Sequence, residues 1–321
     1  MIVADHAPMP GSAENGLFLS SLSYLTAPGV GLFFMISGAL LLPVRTDTRT
    51  FLRKRFLKIA VPALVWTLLY LLAGIWTSGT PISWQAFLSI PFSAQGNPTF
   101  WFIYTLLGLY LLAPVLSRWL AAASHGEMVF YLGLWGISLC YPLLRNVLDI
   151  NATETGVLYY FSGYSGYFIL GFYLRKYPEK IRFAWLLPLL AVSYAAPVVC
   201  KLKPIPVDFY DVFWNLSIFV VIQCVFLWKL VVALVPPQGC LSFNPLVARV
   251  SSLTFPIYLV HFFVVRDLLW KWPFVCSLHP YALQTLVIIL LALAISTVFA
   301  FFYEKVRSFC HPLSGTRRRR T

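Results

Sequence analysis

FFMISGALLLPVRTDTRTFLRKRFLKIAVP, residues 33–62, decides how this chain folds. One apolar run ends at residue 42 and another takes over near residue 56. Between them stand Arg45, Arg49, Arg53, Lys54, Arg55 and Lys58, opposed only by Asp47. Uncharged runs of this length read as helices crossing a hydrocarbon layer of about 30 Å, which takes about 20 apolar residues. The Arg53-Lys54-Arg55 triplet then lies at the mouth of the second helix. There it serves as a topology anchor, a phosphate site, or both.

The rest of the chain has the same character. Of 321 residues, 60% are hydrophobic and 11% charged, against about 25% charged in soluble domains. That excludes a soluble globular class. Backbone groups find no water in lipid, so spans are helices or closed barrels. The runs here are continuous rather than alternating, which selects helices. The fold class expected is all-α: a polytopic integral membrane helix bundle embedded in a lipid bilayer. A net charge of +13 would suggest nucleic acid in a soluble protein. Here it reads as the positive-inside bias, with no nucleic-acid partner. Six cysteines are scattered without a CxxC pair and read as small apolar residues. The sequence has no metal-ligand spacing, Walker loop, HExxH or GxSxG. MIVADHAPMPGSAENG lacks the pattern of a signal peptide.

Nine full spans are predicted, at 17–42, 56–77, 99–120, 128–148, 157–174, 184–200, 212–235, 251–270 and 281–303. The first is broken by Pro28-Gly29. With no internal repeat, residues 1–321 read as a single membrane domain ending in a basic tail over 306–321. Connections alternate in charge. The segments 43–58, 118–127, 175–182, 229–249 and 305–321 hold 19 of the 24 Lys and Arg; the other connections hold 5. The first set is therefore cytoplasmic, together with the C-terminal end. Nine spans then leave the N-terminus outside. Residues 1–16 read instead as the remnant of a tenth, first helix plus an outer loop. Ile2-Val3-Ala4 supplies its last apolar turn and Pro8-Met9-Pro10-Gly11 its stop, and the true start is expected upstream.

Ionisable residues inside such helices are costly and mark function. His6 is a candidate general base, since histidine titrates near neutrality; Asp5 beside it does not face it. His261 sits mid-span in SSLTFPIYLVHFF, where a lone histidine also serves as a structural hydrogen-bonder. Arg53, Arg55 and Lys58 suit phosphate, although Arg53 and Arg55 point about 200° apart on a helix. Trp101 and Tyr104 suit an interfacial belt or a sugar-stacking platform. Glu304 closes the last span. Arg145 and Asp149 are spaced to pair. Gly163, Gly166 and Gly171 suit close helix packing.

Together these pieces resemble the acyltransferase 3 family of bacterial membrane proteins. The carrying stretches are FFMISGALLL (33–42), FLRKRFLKIAVPALVW (51–66), PTFWFIYTLLGLYLLAPVL (98–116), SSLTFPIYLVHFF (251–263) and FFYEKV (301–306). The resemblance implies about ten helices in a bacterial inner membrane. It implies transfer of an acyl group, commonly acetyl, from cytoplasmic acyl-CoA as co-substrate to a hydroxyl of an extracytoplasmic or lipid-linked glycan. No cofactor is then permanently bound. His6 matches the family's catalytic histidine by position; the arginine about ten residues before it has no counterpart in the chain. Arg53 and Arg55 match an Arg-x-Arg pair with a CoA-phosphate role, with Lys58 and Glu304 as further matches. Two other readings are open: a glycan or glycolipid transporter or flippase, and an inactive member of the same fold.

Overall fold

The computed structural model describes residues 1–11, 16–78, 83–94, 96–148, 156–178, 181–203, 207–234 and 245–310. Every regular element among them is helical. The order begins α1 (Ile2–His6), α2 (Gly16–Thr26), α3 (Pro28–Leu41), α4 (Thr48–Arg55) and α5 (Val61–Ser78). It continues with α6 (Trp84–Ser89), α7 (Trp101–Ala122), α8 (His125–Ser138), α9 (Tyr141–Leu148) and α10 (Ser165–Lys176). It closes with α11 (Phe183–Leu202), α12 (Phe209–Phe213), α13 (Ile218–Leu234), α14 (Pro245–Phe263), α15 (Pro273–Cys276) and α16 (Tyr281–Cys310). Single π-helical turns, Phe56–Ala60 and Val264–Leu268, follow α4 and α14.

The chain is an integral membrane protein of the expected all-α class. Eight helical segments among the described residues are long and apolar enough to cross a membrane, at 18–41, 48–76, 98–122, 125–148, 184–202, 209–234, 247–271 and 281–306. The expected span at 157–174 is the exception. Its helix, α10, has only 12 residues, or about 18 Å at 1.5 Å per residue. Residues 166–168 and 170–174 are all buried. By itself α10 is shorter than the about 20 residues of a full span, and it is packed inside the protein rather than against lipid. The break at Pro28 falls where the sequence puts it. Thr26 Oγ1 donates to the carbonyls of Leu22 and Ser23, both at 3.0 Å, and Pro28 opens α3.

The described residues fall into two compact units. One holds Met1–Ile2 and Ser20–Leu234; the other holds Val3–Leu19 and Val235–Thr321. The first is built on α3 against α10. A Cβ on Gly38 would lie 1.8 Å from the Phe168 carbonyl oxygen, and one on Gly171 would lie 1.9 Å from that of Met35. The two backbones touch through these glycines. Lipid is as apolar as a leucine side chain, so this van der Waals contact, not hydrophobic burial, holds the pair. Gly166 similarly seats the Trp135 indole, whose Nε1 donates to the Gly163 carbonyl at 2.9 Å. Cys224 is buried with its Sγ on the Pro28 carbonyl, whereas Cys276 is exposed. Gly171→Ala is expected to lower stability by about 1–3 kcal/mol through overpacking. Gly108→Ala, with open space around it, should raise it by up to about 1 kcal/mol. Thermal unfolding in detergent checks the contrast; equal melting temperatures for the two variants would contradict it.

In the second unit α14 packs along α16. The N-terminal segment is tied to the same unit. Trp270 Nε1 donates to the Ala7 carbonyl at 3.1 Å, and the Tyr281 hydroxyl donates to the Met9 carbonyl. Phe18 meets the Tyr281 ring edge-on at 5.8 Å.

Candidate functional sites

In the first unit, the basic stretch folds earlier than the sequence suggests. Asp47 caps α4: its Oδ2 accepts the Thr50 N–H at 2.8 Å. Hydrogen bonds from the Thr50 backbone and hydroxyl hold its carboxyl below the usual carboxylate range. With α4 starting at Thr48, Arg53-Lys54-Arg55 occupies its last turn and runs into the π turn, rather than opening a helix. The triplet separates. Arg53 and Lys58 are exposed, while Arg55 is half-buried. The Arg55 guanidinium lies 5.5 Å from the Phe51 ring centroid and 5.7 Å from that of Tyr110. Its Nε is buried with no hydrogen-bond partner among the described residues.

Arg55 helps to line a groove of about 350 Å³ together with Arg45, Lys54 and Arg175, against Leu42 and Phe51. No carboxylate lines it among the described residues. Arg53 and Lys58 are not part of its wall. Four cations converging without a counter-charge make a site for a multiply charged anion. Lys54 and Arg175 are legible in the sequence only as anchor charges. Arg175 arrives because α10 ends beside the turn that follows α3, where its Nη2 lies 3.5 Å from the Leu42 carbonyl.

In the second unit, the two candidate histidines meet. The His6 and His261 ring centroids are 5.5 Å apart, tilted at 31°. His6 also meets the Phe262 ring edge-on at 5.6 Å. His261 is fully buried, with Nδ1 2.7 Å from the Tyr258 carbonyl. A carbonyl only accepts, so Nδ1 carries a proton, and in the neutral ring Nε2 carries the lone pair. That Nε2 is buried and has no hydrogen-bond partner among the described residues. Arg266, in the π turn after α14, stacks over Phe262 at 5.2 Å and Trp270 at 5.5 Å. His6 is therefore packed into an aromatic and histidine setting rather than trailing as a tail residue. A π turn follows each site, and such turns recur at functional sites because they re-aim the side chains around them.

A family model described as an acyltransferase domain matches residues 1–303, and so runs through both units. The chain belongs to the acyltransferase 3 family. Neither the curated proteins nor the solved structures give a match.

Other candidates of this membrane acyltransferase do not line the cationic groove. The Tyr104 hydroxyl donates to the Ile90 carbonyl at 2.5 Å and lies 3.2 Å from Thr67 Oγ1. Trp101 packs at 5.3 Å against Tyr164. Glu304 is half-buried in α16, one turn beyond Phe301, over which the Arg249 guanidinium lies at 5.1 Å. Arg145 forms its ion pair with Asp211; Asp149, its expected partner, lies outside the described residues.

Proposed function

We propose that this membrane acyltransferase moves an acyl group, acetyl in the simplest case, from cytoplasmic acyl-CoA to a hydroxyl of an extracytoplasmic or lipid-linked glycan. The observation that carries the reading is the His6–His261 pair, a buried histidine whose Nδ1 meets a carbonyl and whose Nε2 has no hydrogen-bond partner among the described residues, beside a second imidazole. Two such rings suit the uptake and holding of one proton. His6 takes the proton of the acceptor hydroxyl. The hydroxyl oxygen bonds to the thioester carbonyl carbon, the carbon–sulfur bond breaks, and the CoA thiolate leaves and accepts that proton. His261 holds His6 in orientation and shares the positive charge while it lasts.

The cationic groove supports the donor half. CoA carries several phosphate charges at one end, and Arg45, Lys54, Arg55 and Arg175 supply matching donors. Lys and Arg concentrate on the connections that include this groove, which favours a cytoplasmic face and a cytoplasmic C-terminal end. A bacterial inner membrane fits the family and the charge bias.

The test uses membranes carrying the chain, acetyl-CoA labelled in its acetyl group, and the host's surface polysaccharide as acceptor. Label is expected in a base-labile ester on the glycan. Host membranes that label equally without the chain would contradict the reading. His261 offers a finer check. His261→Asn keeps a donor near the Tyr258 carbonyl and removes Nε2, so transfer should fall about tenfold or more. His261→Gln, which returns a polar group near Nε2, should recover part of it. Equal rates for both variants and the wild type would remove His261 from the mechanism.

A further inference from the structure

The first unit holds a second cleft that neither the family nor the reaction above assigns. It is formed by α9, by the turn leading into α10, and by α12 with the residues after it. Its volume is about 370 Å³, within the range of roughly 300–1,000 Å³ for small-ligand clefts. Aromatic rings dominate the wall: Tyr141, Tyr164, Tyr210 and Trp214. Tyr210 and Trp214 meet edge-on at 5.4 Å, and Tyr210 is 65% exposed.

Planar polar groups stand among these rings. Asp211 Oδ2 pairs with Arg145 and accepts from Asn146 Nδ2 at 2.9 Å. Asn146 Oδ1 in turn accepts the Asp208 N–H at 3.0 Å, which clamps α9 to the start of α12. Asn215 is 6% exposed and lines the cleft, and its Oδ1 has no hydrogen-bond partner among the described residues. The Asn215 backbone is fixed separately, because its carbonyl accepts the Tyr167 hydroxyl at 2.7 Å. The Asn215 side chain also hydrogen-bonds Tyr164, and a buried amide oxygen left without a donor beside that bond points to a donor that comes with a ligand.

We infer that this cleft binds the saccharide end of the acceptor. A sugar ring offers an apolar C–H face and a rim of hydroxyls. The faces of Tyr210 and Trp214 suit the first; Asn215, Asp211 and Arg145 suit the second. A nucleotide or phosphate would meet the Asp211 carboxylate, and a lipid tail would leave Asn215 Oδ1 without a donor. Tyr164, just before α10, lines this cleft, and Arg175, near the helix's other end, lines the cationic groove. Eleven residues of helix separate them by roughly 16 Å. Donor and acceptor groups are thus received at opposite ends of one buried helix. The inference rests on the acyltransferase reading only for calling the saccharide an acceptor.

The experiment measures saccharide binding to the purified chain by tryptophan fluorescence, with maltose, lactose and chitobiose at up to about 10 mM, a range suited to millimolar affinity. Acetyl-CoA binding is measured on the same samples. At least one sugar should bind. Tyr210→Ala, at an exposed position, and Asn215→Ser should each weaken it about tenfold while acetyl-CoA affinity stays unchanged. No binding by any of the three sugars, in a sample that binds acetyl-CoA, overturns the inference. So does sugar binding that both variants retain. Sugar binding that depends on Tyr210, without any acyl transfer, leaves the cleft standing and counts against the transferase reading alone. Acyl transfer to glycan that Tyr210→Ala and Asn215→Ser leave intact does the reverse.

Discussion

His6→Ala is expected to lower acyl transfer by roughly 10²–10⁴-fold, the usual worth of a positioned general base, in a protein that still folds and still binds acetyl-CoA. Folding survives because the local anchors lie elsewhere. His6 ends α1, and the backbone immediately after it is held by Trp270 on the Ala7 carbonyl and Tyr281 on the Met9 carbonyl. Removing the imidazole forfeits its contacts with His261 and Phe262, each worth about 0.5–1.5 kcal/mol, and leaves those anchors untouched. The loss of rate has a chemical origin. An acceptor hydroxyl is a poor nucleophile until its proton is taken. His261 does not replace His6, because its ring is fully buried. Rates of label transfer from acetyl-CoA decide the matter. Wild-type transfer by His6→Ala would eliminate His6 as the base.

Arg55→Ala combined with Arg175→Ala is expected to abolish measurable acetyl-CoA binding. Hydrogen bonds to charged groups contribute about 1.5–3 kcal/mol each. One substitution should therefore weaken binding by roughly 10–150-fold, and the pair by more. Arg55 should have the larger single effect. Its guanidinium is already ordered against Phe51 and Tyr110, so little freedom is lost when a phosphate arrives. Arg53→Ala is the control, since Arg53 is exposed and outside the groove. Its effect should be small, and it should shrink further as salt is raised. Isothermal titration with CoA and with dephospho-CoA isolates recognition of the 3′-phosphate from that of the rest of the molecule. If Arg53→Ala weakens binding more than Arg55→Ala, the groove is not the donor site.

The sequence is most informative where one property runs continuously. The helical class and the break at Pro28 follow from apolar length and from the geometry of proline. The close approach at Gly166 and Gly171 follows from the absence of a side chain. At 157–174 the sequence overstates the length of the helix: burial against protein and burial in lipid select the same apolar residues, and α10 itself has 12 residues. The basic stretch reads as a phosphate site in the sequence; of its three candidates only Arg55 lines the groove proposed for the donor, while Arg53 and Lys58 do not. The roughly 200° between Arg53 and Arg55 on a helix is legible in the sequence and fits their different exposure, whereas the early start of α4 at Thr48 behind the Asp47 cap is not. Arg175 stays hidden in the sequence, because its part in the groove depends on the packing of α3 against α10. The same holds for the His6–His261 pair. Each histidine is a candidate alone, and nothing in local spacing says that a residue at the start of the chain meets one near its end. The Asp211 partner of Arg145 is hidden for the same reason, since a nearby i, i+4 carboxylate is the only partner that sequence spacing offers.

The central claim is that His6 and His261 act as one catalytic unit on a CoA-bound acyl group. A double-mutant cycle on single-turnover transfer from acetyl-CoA tests it most directly, with His6→Ala, His261→Asn and the double variant compared at saturating acetyl-CoA. Groups that act together are non-additive. The double variant is therefore expected to be no slower than His6→Ala alone. A double variant slowed by the product of the two single effects would mean that the histidines act independently, and would contradict the claim.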